Sequence, residues 1–120
     1  MWDEALAKDS ARYAAVLAKR GRIAHDPDKG RQGENLFQGT IRAYPYAMMA
    51  RLWVDEKKHF KKGVFPNVVK AGPWSLVGHY TQIVWPGTQR FGCAVASNRD
   101  DDFLVCRYLP AGNVYGVAMK

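Results

Sequence analysis

The residue pattern predicts an α+β domain in which helices accompany an antiparallel strand pair. Two stretches, Asp3 to Arg20 and Pro45 to about Phe60, carry apolar residues at helical spacing. Near the C-terminus, Phe91 to Ser97 and Phe103 to Tyr108 flank the polar turn Asn98-Arg99-Asp100-Asp101-Asp102, the signature of a hairpin. At 120 residues the chain reads as a single domain, 1–120, long enough to bury a core without metals or several disulfides.

In the first helix Leu6, Tyr13 and Leu17, joined by Trp2, share one face, and alanines fill the remainder at little entropic cost. Asp3 and Glu4 suit its positive N-terminus, Lys19 and Arg20 its negative end, and Gly21 a left-handed cap. The loop Asp26-Pro27-Asp28-Lys29-Gly30 follows, and composition alone makes His25 beside it an exposed loop histidine. Gly33 to Phe37 reads as a short extended segment broken at Gly39-Thr40. Pro45 fits the first turn of the second helix. There Met49, Trp53, Glu56 and Phe60 form one stripe, with Leu52 beside it. Glu56 on that apolar face must find a partner or take up a proton.

Val64 to Trp74 holds two prolines and one glycine, with Asn67, and reads as a loop that wraps the domain. In Gly78-His79-Tyr80-Thr81-Gln82-Ile83-Val84-Trp85, polar side chains precede an apolar run. Such a mixture reads as the wall of a polar cleft anchored by Ile83, Val84 and Trp85. Counting outward from the hairpin turn sets Cys93 opposite Cys106, Phe91 opposite Tyr108 and Val95 opposite Leu104. The two cysteines are then either bridged or packed as buried thiols.

Lys and Arg number 18 against 11 Asp and Glu, a formal charge of +7. That balance favours anionic partners in general. The basic residues are scattered, however, and the densest group, Lys57, Lys58, Lys61 and Lys62, reads as a solvated face rather than a nucleic-acid site. No run approaches the roughly 18 apolar residues of a membrane span. Nor does a basic and then apolar leader follow Met1.

Four ordered motifs carry a resemblance: Gly33-Glu34-Asn35-Leu36, Trp53-Val54-Asp55-Glu56, Gly78-His79-Tyr80-Thr81-Gln82 and Cys106-Arg107-Tyr108-Leu109-Pro110-Ala111-Gly112-Asn113. Together they resemble the CAP superfamily of cysteine-rich secretory, antigen 5 and pathogenesis-related 1 proteins, in an SCP-like extracellular form of bacterial type. The resemblance runs from Trp2 to about Gly116. It implies a three-layer α/β/α sandwich with a mainly antiparallel central sheet. It also favours the Cys93–Cys106 bridge, hence an oxidising compartment and a secreted or periplasmic protein. Relative to that family, the chain looks to lack the first N-terminal helix.

Carried over by position, the family's cleft residues fall on His25, Glu34, Glu56 and His79, with Tyr80 and Gln82 in support. This set implies a divalent ion such as zinc on His25 and His79, or a small polar ligand, in a monomer. Two other functions accompany that expectation. One is a lipid or sterol carrier that uses apolar loop surface at Phe65, Pro66, Val68, Val69, Trp74 and Leu76. The other is a metal-dependent or acid–base hydrolase, for which only Ser75 and Thr81 stand near His79 as nucleophiles. Neither lies in a nucleophile elbow, so no robust peptidase activity is expected.

Overall fold

A computed structural model describes residues 1–119 of the chain. Its centre is a three-stranded antiparallel sheet in the order β1 (Gly33–Thr40), β4 (Asp101–Leu109), β3 (Arg90–Ser97). Helix α1 (Glu4–Arg20) covers one face. Helices α2 (Tyr46–Val54) and α3 (Gly78–Ile83) lie on the other side. The molecule is the expected α/β/α sandwich.

Strand β4 is the axis of the structure, buried on both faces from Asp102 to Tyr108. Alternation sends Phe103 and Val105 toward α1, where they meet Tyr13, Ala14, Leu17 and Leu36. Leu104, Cys106 and Tyr108 point the other way, against Met49 and Trp53 of α2. A third cluster, Phe65, Val68, Val77, Trp85 and Met119, packs beneath the long loop. That loop is pinned where β2 (Gly63–Val64) pairs with β5 (Ala118–Met119). Phe65 is 1% exposed and Val68 fully buried, so these loop residues are core rather than lipid-facing surface.

Helix α1 has the expected ends. Asp3 Oδ1 accepts from the Leu6 N–H, and Gly21 adopts φ 82° as the C-cap. Trp2 lies outside the helix and is 47% exposed, its ring edge-on to Phe91. The β3–β4 register places Cys93 opposite Cys106, Phe91 opposite Tyr108 and Val95 opposite Leu104, as counted, and the two sulfurs are bonded.

Other expectations are corrected. Gly39 and Thr40 continue β1 opposite Asp102 and Asp101 instead of breaking it. A Cβ on Gly39 would stand 2.8 Å from the Phe37 ring, so glycine there admits the ring rather than ending the strand. The second helix stops at Val54, with Pro45 as its N-cap, and tightens into a 3₁₀ turn at Asp55–His59. Phe60 is already extended and bridges Val69. Leu52 and Val54 are exposed. Val84 is exposed as well, leaving Trp85 and the half-buried Ile83 as the anchors of the central stretch.

Candidate functional site

The residues singled out in the sequence form two histidine–glutamate pairs. His25 Nδ1 lies 2.8 Å from Glu34 Oε1, and His79 Nδ1 lies 2.7 Å from Glu56 Oε2. Both histidines line one open cleft of about 400 Å³.

Adjacent positions on β1 serve the two pairs from opposite faces of the sheet. Glu34 points toward the α1 side, its side chain wholly buried. One of its oxygens accepts from the Asp26 backbone N–H as well as facing His25. Its other oxygen lies 2.9 Å from Arg107 Nη2, near enough to pair charges though without the alignment of a hydrogen bond. Asn35 points to the opposite side, where its NH₂ donates to the His79 carbonyl and the Tyr108 hydroxyl. Burial pushes the Tyr108 phenol well above its ordinary pKa, so it stays a neutral hydroxyl.

Glu56 belongs to the 3₁₀ turn after α2. Helix α3 has no side-chain cap of its own, and Glu56 supplies one. Its Oε1 accepts from the backbone N–H groups of His79 and Tyr80, while Oε2 holds the imidazole. The His79 ring stacks on Trp53, 10° from parallel with centroids 5.6 Å apart. A Cβ on Gly78 would stand 2.9 Å from the Trp74 ring, so glycine permits that close approach before His79.

The supporting residues divide. Gln82 is buried and braces the wall, accepting from the Gly112 N–H and donating to Thr88 Oγ1. Asn113 does the same for α3, with bonds to Gly78 O and Thr81 Oγ1. The Tyr80 ring packs edge-on against Phe60, and only its backbone N–H serves the site. Thr81 is fully buried and its hydroxyl is engaged, while Ser75 is exposed at the cleft with no imidazole bonded to it among the described residues.

Arg107 and Asp26 escaped the sequence reading. Arg107 is fully buried, 2.8 Å from Asp26 Oδ2, with its cation over the Tyr13 ring. It also donates to Gln32 Oε1. Burial acts to raise the Asp26 pKa, but hydrogen bonds from Arg107, the Asp28 N–H and Arg12 outweigh it and hold the carboxyl below its ordinary value. The available signal was alternation in β4. It puts position 107 on the face of Phe103 and Val105, so an arginine there needs buried acids.

A carboxylate only accepts, so the proton of each neutral imidazole belongs on Nδ1 and the lone pair on Nε2. This is how histidines that ligate metals are oriented. Neutral imidazole nitrogens of this kind are donors that zinc accepts. Among the described residues no group of three or more His, Cys, Asp or Glu is gathered for a metal, so further ligands would be water or a small molecule.

The model of the cysteine-rich secretory protein family (CAP) matches residues 1–108. The chain belongs to the CAP family. It is 36% identical over 116 residues to a PR-1 type pathogenesis-related protein of Sambucus nigra, covering 96% of this chain and 66% of that protein. With cysteine-rich venom protein VAR3 of Varanus acanthurus the identity is 37% over 125 residues, covering 96% and 65%. Among solved CAP-like structures, NaASP2 with Zn2+ superposes at a TM-score of 0.74 with 28% identity, over 98% of this chain and 63% of that one. The chain spans a quarter to two thirds of the curated relatives it matches. No helix among the described residues is long and apolar enough to cross a membrane.

Proposed function

We propose that this CAP domain works outside the cytoplasm, secreted or periplasmic, and binds a divalent ion such as zinc on His25 and His79. The ion's open positions then take water or a small polar ligand. The observation that carries this reading is the paired geometry: each Nδ1 is held by a glutamate, which turns each Nε2 lone pair outward. NaASP2, similar over nearly the whole chain, was solved with Zn2+. The disulfide suits an oxidising compartment. When bound, the ion would polarise a ligand oxygen, while Glu34 and Glu56 fix the imidazoles and Trp53 braces His79.

Calorimetric titration with zinc near neutral pH tests the reading. One-to-one saturable heat in the wild type, lost in His25→Ala/His79→Ala, is expected. Absence of heat in the wild type would refute it.

A lipid carrier is the second reading, and a different surface supports it. An apolar cavity of about 380 Å³ lies between α2 and the sheet, lined in part by Ala50, Trp53, Val54, Ile83 and Phe91. Fluorescence of Trp53 on titration with fatty acid vesicles checks it, and an unchanged spectrum would dismiss it.

A further inference from the structure

Glu34 borders the cleft, yet none of the site's acids offers it an unpaired negative charge. Glu34 is wholly buried and neutralised by Arg107. Glu56 does not line the cavity and is tied to α3. Asp26 is buried against Arg107 and Arg12.

The cleft's amides are mostly engaged too. Gln32 is bonded at both ends, to Asp9 and Arg107, and Gln82 and Asn113 are likewise bonded at both ends within the wall. Asn35 commits its NH₂ and keeps only an oxygen. Six lining side-chain groups remain without a protein partner among the described residues: the Lys29 ammonium, the Ser75 hydroxyl, the Trp74 indole N–H, the Asn35 oxygen and the two imidazole Nε2 atoms. The permanent charge offered to a ligand is therefore positive, on a chain of formal charge +7. Asp28 is exposed beside Lys29 in sequence but does not line the cleft.

We infer that the cleft receives a small oxyanion, a carboxylate or phosphate group, and that Lys29 recognises it. Two oxygens of such a group suit an ammonium and a hydroxyl at once, through charge-assisted hydrogen bonds. Where a metal sits on the histidines, the oxyanion also fills its open position, and to that extent the inference rests on the proposed metal reading.

The test is an amide NMR titration with succinate, with and without zinc, and with inorganic phosphate in the metal-free protein. Wild type, Lys29→Gln and His25→Ala/His79→Ala are compared. Saturable shifts at Gly33 and Gly112 are expected, with affinity at least tenfold weaker in Lys29→Gln and the rest of its spectrum unchanged. No saturable shift under any condition, or equal affinity in Lys29→Gln, overturns the inference. Zinc heat without anion shifts would defeat it alone and leave the metal reading standing. Lys29-dependent anion shifts in a protein that takes no zinc would do the reverse.

Discussion

Glu34 and Arg107 stand directly opposite each other on β1 and β4, both side chains fully buried, with carboxylate and guanidinium 2.9 Å apart. Taking two ions out of water is costly, and their attraction repays it only while both are present. The pair thus fixes the His25 half of the site from beneath the sheet.

Arg107→Met should consequently destabilise the protein by about 3–5 kcal/mol, because Glu34 and Asp26 lose their common cation. Urea unfolding measures this. A midpoint unchanged from wild type would show that the pair is dispensable.

Asp26 sets part of the acid limit. Its folded pKa lies below the ordinary 3.8, so its contribution is present above that value and is lost as pH falls through the folded pKa. The Asp26→Asn variant should be less stable at neutral pH, and its stability should fall less steeply than the wild type's below 3.8. Unfolding curves at stepped pH would decide, and parallel acid limbs would contradict the assignment.

Glu56 joins two tasks, capping α3 and holding His79. Glu56→Ala should weaken zinc binding about ten- to a hundredfold and cost about 1 kcal/mol from the lost cap. Calorimetry and thermal unfolding read the two separately. Wild-type zinc affinity in the variant would break the link between this carboxylate and the ion.

Gly92 is where α1 presses on β3. A Cβ there would lie 2.3 Å from Ala7 N and 2.6 Å from Asp3 O, both backbone atoms. Gly92→Ala should therefore lever the helix away and cost about 1–3 kcal/mol. A thermal midpoint equal to wild type would show that α1 can shift freely.

Much of the fold was legible because its signals are local. The hairpin register follows from a period of two counted out from Asn98–Asp102, and α1 carries its caps in its own residues. The end of α2 was not legible, because the apolar stripe continues past Val54 while the 3₁₀ turn brings Glu56 onto the distant N-terminus of α3. The β2–β5 pair spans two residues on each side, too short for a pattern to register. His25 shows both limits. Its side chain is 65% exposed, as the loop composition implies, yet it lines the cleft, and only the family motif pointed there.

The central position of β4 has one more result. Arg107 and Tyr108 are neighbours in sequence, yet one leads to His25 through Glu34 and the other to His79 through Asn35. Slipping β4 by a single residue would exchange their faces and dismantle both arms together. One strand register therefore assembles both arms of the site, and a ligand held in the cleft should slow amide exchange along β4.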